Sequence, residues 1–343
     1  MAILLFASQV LIAKGQWAGD KDPFLSKSLA NETVKRVTAE TSGGNVTVIG
    51  VNTSEARIEV YVTPGNGNAN SLSKEEIQKR LEENYSLDIS FNNQELNAVA
   101  KSKSWNLNWK KSLSISFKIY VPHQVETRLR TSGGSIRLTD LEGNQDFSTS
   151  GGSLHIDHVS GSIKGRTSGG SIHLADSKDE IDLSTSGGSI EASNSSGNIH
   201  LSTSGGSLRL DQLSGKIDAN TSGGSVEGTD ISGELKAFTS GGSIRLKGIK
   251  AGIETGTSGG SIKVEITELG KFVTIHNSGG DIDVELPSNK GLTLNVSARK
   301  IRVGTMHDFN GSTDERHLEG TISGGGTPVN ISASSGSVGL SWK

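Results

Sequence analysis

The chain has 343 residues, 45 of them glycine and 5 proline, and it has no cysteine, which excludes disulfides, thiolate metal sites, cysteine nucleophiles and a lipidated cysteine anchor. Its 34 basic and 37 acidic residues are interspersed for a net charge of −3, which leaves no electrostatic footprint for nucleic acid and no polybasic patch for a membrane surface. Hydrophobic residues make up 32% and aromatic residues 4%, too lean for a large globular core but enough for the thin continuous core of a stacked repeat.

In chain order, Ala2 to Ala13 form an apolar run followed by Lys14-Gly15-Gln16. This resembles the core and exit of a secretory signal and is too short to span a bilayer. The basic segment that normally precedes such a run is missing, so the alternative is a buried N-terminal strand. On the signal reading, residues 1–16 direct export and the mature chain has no transmembrane span.

Residues 30–126 then read as a β-rich cap and first coil. Asn45-Val-Thr-Val-Ile-Gly50, Ala56-Arg-Ile-Glu-Val-Tyr-Val62, Ser86-Leu-Asp-Ile-Ser-Phe91 and Ser112-Leu-Ser-Ile-Ser-Phe-Lys-Ile-Tyr120 alternate at period two, and an antiparallel arrangement is expected. Ser73-Lys-Glu-Glu76 has capping-box form ahead of Ile77 and Leu81, which predicts one short helix near 73–84. The stretch Pro64 to Asn70 is its flexible lead. Thr41-Ser-Gly-Gly44 reads as an early coil edge interrupted by an excursion from Val51 to Val125.

Residues 127–276 carry the dominant signal. Thr-Ser-Gly-Gly starts at Thr131, Thr149, Thr167, Thr185, Thr203, Thr221, Thr239 and Thr257, an unbroken 18-residue period. Constant spacing with no insertion is the mark of a solenoid, because any insertion shifts every later side chain off its column. Gly152 and Gly161 lie nine apart, as do Gly188 and Gly197, so each coil should contain two strands and two tight turns. One apolar ladder runs through Ile136, Leu154, Ile172, Ile190, Leu208, Val226, Ile244 and Ile262, and a second through Ile163, Ile181, Ile199, Ile217, Leu235 and Ile253. Two residues after the first ladder come Leu138, Ile156, Leu174, Ala192, Leu210, Gly228, Leu246 and Val264, the alternation of half-buried strands.

The paired glycines are expected to turn the chain through conformations closed to other residues. They are Gly133 and Gly134, Gly151 and Gly152, Gly169 and Gly170, Gly187 and Gly188, Gly205 and Gly206, Gly223 and Gly224, Gly241 and Gly242, and Gly259 and Gly260. The threonines before them stack at the corner. Outward positions Arg137, His155, His173, Glu191, Arg209, Glu227, Arg245 and Lys263 vary in sign, and opposite charges on neighbouring rungs favour register and solubility over ligand capture. Residues 277–343 are irregular coils and a terminal cap: the spacing from Thr257 to Asn277 is 20 and Pro287 breaks the pattern.

Several sites invite a functional reading. A calcium β-roll needs an aspartate at each turn, and the frame Gly133-Gly-Ser-Ile-Arg-Leu138 has none. His155, His158 and His173 can approach on adjacent rungs, yet no fixed carboxylate accompanies them, so a solvated face is the simpler reading and no metal or cofactor is assigned. Threonine arrays of the ice-binding kind need Thr inside a strand, and here Thr precedes a turn. Coils of constant length leave no inserted loops for catalysis. Trp105 and Trp109, with Lys101, Lys103, Lys110 and Lys111 nearby, either stack on a sugar or partner or cover the open end of the solenoid.

Gly43-Gly-Asn-Val-Thr-Val48, the strand Ser112 to Val121 leading into Thr131-Ser-Gly-Gly-Ser-Ile136, and Ser278-Gly-Gly-Asp-Ile-Asp-Val-Glu-Leu-Pro287 resemble the bacterial adhesin-like family of β-strand repeats catalogued as domain of unknown function 4097. The resemblance covers about Thr33 to Lys343 and implies an exported bacterial β-solenoid; it offers no catalytic or binding residue to carry over. The expected fold is all-β: a single-stranded β-solenoid of 18-residue coils with an N-terminal β-rich cap containing one short helix. The expected function is a noncatalytic adhesin or scaffold of the periplasm, cell envelope or medium, with a cell-surface glycan or an envelope protein as partner and no nucleic acid. The alternatives are a carbohydrate-binding or carbohydrate-processing protein and an envelope-stress accessory. An enzyme would have its site at the tryptophan pair or between Met306 and His317, where Asp308, Asp314 and Glu315 gather.

Overall fold

The computed structural model describes residues 22–65, 72–104, 112–288 and 290–343. The signal-like segment 1–16, most of the lead into the helix, and Trp105 and Trp109 lie outside the described residues. Among the described residues there are 27 strands and one α-helix. Contacts divide the chain at Leu141/Glu142 into two compact units.

The first unit contains β1 (Leu25–Ser28), β2 (Arg36–Thr41), β3 (Val46–Val51), β4 (Arg57–Pro64), α1 (Lys74–Asn84), β5 (Tyr85–Asn92), β6 (Glu95–Ser102), β7 (Leu113–Pro122), β8 (Glu126–Thr131) and the start of β9 (Ile136–Thr149). The Ser73 hydroxyl accepts from the Glu76 N–H at 3.2 Å and Leu81 is buried, as the capping box requires. Strand β2 lies parallel between β6 and β8, and β3 lies parallel between β7 and β9. Thr41 stands opposite Thr131 and Val46 opposite Ile136, so Thr41–Gly44 is a coil corner.

The cap differs from expectation in one respect: it is mixed, not antiparallel. Strands β1 and β7 flank β4 antiparallel and β5 runs antiparallel to β6, but the strands that leave equivalent corners travel the same way round the coil and must pair in parallel. Alternation alone does not report strand direction.

The second unit takes the end of β9, then β10 (Leu154–Thr167), β11 (Ile172–Ala175), β12 (Lys178–Thr185), β13 (Ile190–Ser193), β14 (Ser196–Thr203), β15 (Leu208–Asp211), β16 (Ser214–Thr221), β17 (Val226–Thr229), β18 (Ser232–Thr239), β19 (Ile244–Thr257) and β20 (Ile262–Asn277). Each regular coil has one strand of four residues and one of eight, for example β11 and β12. From β10 to β19 the pairings are parallel at an offset of 18, as in Ile172↔Ile190 and Ile181↔Ile199. The two predicted ladders are buried, with Ile190, Leu208, Ile199 and Ile217 all at or below 1% exposure. A further ladder lies two residues on in the long strand, through Phe147, Gly165, Leu183, Leu201, Ala219 and Ala237. A side chain at Gly165 would collide with the Phe147 ring, which fills that space.

Beyond the regular coils lie β21 (Ile282–Leu286), β22 (Leu292–Ser297), β23 (Lys300–Val303), β24 (Phe309–Thr313), β25 (His317–Ile322), β26 (Thr327–Ala333) and β27 (Ser337–Trp342). The extra residues before Asn277 are absorbed inside β20: Lys250 pairs with Glu268, but Ile253 pairs with Val273. Strand β26 inserts in parallel between β20 and β22, and β27 between β21 and β23. The last rung in sequence is therefore not the last in space.

Candidate functional site

The Thr-Ser-Gly-Gly corner is the most repeated feature of the second unit, and its threonine is structural. Thr203 is 3% exposed; its hydroxyl donates to the Gly188 carbonyl of the preceding coil at 2.8 Å and accepts from the Gly206 N–H of its own coil at 3.3 Å. The same pair of bonds recurs at Thr167, Thr185, Thr221 and Thr239. At the irregular corner Asn277 takes over both roles, donating from Nδ2 to the Gly260 carbonyl and accepting at Oδ1 from the Gly279 and Gly280 N–H groups.

The paired glycines are needed for a different reason from the expected one. None of them has a left-handed φ. A Cβ on Gly134, Gly170, Gly188, Gly206, Gly224, Gly242 or Gly260 would strike the carbonyl of its counterpart one coil back, as Gly206 against Gly188 and Gly224 against Gly206. The first of each pair is looser: a Cβ on Gly205 would stand 3.5 Å from the nearest atom. Left-handed backbone belongs to the opposite corner, at Gly161, Gly197, Gly215 and Gly233 and in the column Asp176, Asn194, Gln212 and Asp230. Asn and Asp tolerate that conformation best after glycine.

The outward charges mostly neutralise one another. Arg209 bridges Glu191 at 3.6 Å and Glu227 at 3.7 Å, and Arg245 reaches Glu227 at 3.6 Å. On the long-strand face His200 meets Asp218 and Lys236 meets Glu254, and that contact raises the Lys236 pKa. His155 stacks on His173 at 5.0 Å, and His173 faces Glu191 at 3.2 Å. His158 does not join these two: it turns to the half-buried Asp157 at 2.9 Å, and with the exposed Asp176 these form a trio close enough to share an ion. A trough of about 450 Å³ beside the corner is lined by Ser148, Arg166, Ser168, Ser184, Ser186 and Ser202.

The two places proposed for catalysis fare unequally. Asp314 caps a turn, accepting from the Arg316 N–H at 2.7 Å and the His317 N–H at 2.8 Å, and these bonds hold its carboxyl below the ordinary range. A carboxylate committed in this way is a poor general acid. Trp105 and Trp109 lie outside the described residues, but two of the lysines near them are engaged, Lys101 with Glu40 at 2.9 Å and Lys103 with the Glu82 carbonyl.

Stacked parallel coils closed by threonine–glycine corners define a β-solenoid. The family model described as Toastrack DUF4097 matches residues 99–341, more than half of the chain, and the protein belongs to that family. No curated protein matches. Among solved structures, a protein from Clostridium sporogenes described as a "putative cell adhesion protein" aligns with 93% of this chain and 98% of its own at 11% identity and a TM-score of 0.22, too loose a superposition to carry an argument. Among the described residues no helix is long and apolar enough to cross a membrane.

Proposed function

We propose that this protein is a noncatalytic, exported β-solenoid that serves as an adhesin or scaffold of the cell envelope or its surroundings. The observation that carries the reading is the corner ladder: Thr167, Thr185, Thr203, Thr221 and Thr239 spend their hydroxyls joining each coil to the one before it. The outward charges are likewise spent between rungs. Side chains used in this way hold a rigid spacer in register and are not available for turnover. The apolar run Ala2 to Ala13 supports export. A carbohydrate-processing role is the weaker reading because Asp314 serves its own turn.

Fractionation of cells expressing the full chain tests the proposal, with recovery expected in the envelope or medium; retention in the cytoplasm would sink it. An array of glycans and envelope components, run with the Trp105→Ala/Trp109→Ala protein alongside, separates the two modes. A signal lost in the double variant makes the cap the recognition element, and a blank array with the fold intact leaves a scaffold.

A further inference from the structure

At the irregular end of the second unit, three strands form a notch of about 300 Å³ lined by Asp283, Arg302, Val303, Gly304, Gly339 and Ser341 among others. Asp283 on β21 and Arg302 on β23 both stand opposite Gly339 on β27. They therefore flank a floor that has no side chain, two strand spacings or roughly 10 Å apart at the backbone. Both are exposed, and among the described residues neither side chain makes a hydrogen bond or an ion pair, in contrast to the closed pairs of the regular coils. Lys263, next to Asp283 on β20, also lies outside ion-pair distance of it.

Two further observations mark the notch. The indole Nε1 of Trp342 is buried with no hydrogen-bond partner among the described residues, and it lies against the rim, 3.7 Å from where a Cβ of Gly304 would stand. Trp342 pairs with the buried Leu286 and, by strand alternation, faces inward from β27 while Gly339 and Ser341 face the notch, so its N–H lies beneath the rim as a reporter and is not itself a ligand contact. In addition, a Cβ on Gly339 would stand 2.5 Å from Asp283 Oδ1, so the missing side chain is what lets that carboxylate lie over the floor.

We propose that this notch binds an acidic sugar residue of the uronate kind, with its carboxylate on the Arg302 guanidinium and its hydroxyls donating to the Asp283 carboxylate. The planar fork of arginine matches a carboxylate in a way a single ammonium does not. A carboxylate between Lys263 and Arg302 repels a bare anion but accepts from vicinal hydroxyls. The volume is at the lower limit for ligand pockets and fits one monosaccharide. Occupancy of the notch does not depend on whether the protein is exported.

Titration of the full chain with glucuronic acid, glucose and acetate tests the proposal, followed through the Trp342 indole N–H resonance, which is assigned with Trp342→Phe. The expected result is saturable binding of glucuronic acid at a dissociation constant on the order of 1 mM, and binding of glucose and acetate weaker by roughly tenfold or more, as loss of a charge-assisted or a hydroxyl contact implies. Arg302→Gln and Asp283→Asn should each reduce glucuronate affinity to a similar degree. Gly339→Ala, which meets only the movable tip of Asp283, should block binding while the circular dichroism spectrum is unchanged. No shift with glucuronic acid overturns the proposal, and so does acetate binding as tightly as glucuronate or an Asp283→Asn protein that binds as before, since either would make this a simple anion site.

Discussion

At the scale of single residues, the two glycines of each corner look equivalent in sequence and are not equivalent in space. Gly206→Ala would drive a methyl into the Gly188 carbonyl, whereas Gly205→Ala has ordinary contact room. The first should cost about 3 kcal/mol, as overpacking against an immovable backbone does, and the second should sit near zero, as measured by denaturant midpoints of the two variants. Thr203→Val keeps the shape but strips the hydroxyl that joins Gly188 to Gly206. It should cost about 2 kcal/mol because a buried N–H and C=O lose their partner, while Thr203→Ser retains most of the stability. The period places these residues, but the reason for glycine was hidden: a close approach to the neighbouring coil and a left-handed φ leave the same letter in the sequence. Only the opposite corner declares itself, because Asn194 and Asp230 stand where φ is positive.

Among elements, the charged column of β13, β15, β17 and β19 runs Glu191, Arg209, Glu227, Arg245, and its pairs are exposed and weak singly. Arg209→Glu would set three acids side by side on adjacent rungs. The melting temperature should fall in low salt and recover as added salt screens the repulsion; a drop independent of salt would mean that the arginine acts through its packing. The β24–β25 hairpin has a titration of its own. Asp314 has its pKa lowered by the backbone donors of Arg316 and His317, so its contribution to folding is complete above the unfolded value of about 4 and is lost as pH falls through the lower folded value. Exchange protection of the Arg316 and His317 amides should therefore persist from neutral pH past the unfolded value of about 4, collapse only as pH falls through the lower folded value, and be absent in Asp314→Ala. The apolar ladders of these elements were legible because each recurs every 18 residues. The ladder through Leu183 and Leu201 was harder to find, since Phe147 above Gly165 and the alanines at Ala219 and Ala237 disguise one continuous column as four residue types. Asp283 could be read as the outward partner of Lys263, but Arg302 and Gly339 fall outside the period, and nothing in their spacing foretells that β27 separates the strands that carry Asp283 and Arg302.

For the molecule as a whole, both units share a device that no repeat count exposes: a rung formed out of chain order. Strands β2 and β3 are enclosed by β6–β7 on one side and β8–β9 on the other. In the same way β26 and β27 are enclosed by β20–β21 and β22–β23. Removal of residues 327–343 should accordingly unseat β22 and β23 as well, a loss visible as exchange of the Leu294 and Val296 amides, while the Ile190 and Ile199 amides stay protected. Simple end-to-end zipping cannot produce this arrangement, because β22 and β23 leave a synthesising or translocating machine before the strands that must slide in beneath them. During that interval they have only the β24–β25 hairpin beside them, and their other edges stand open. The same order makes fraying unproductive afterwards: a segment gripped along both margins has to break two ladders at once to leave. Delayed closure during biogenesis and reluctance to peel once closed are thus two results of one interleaved strand order.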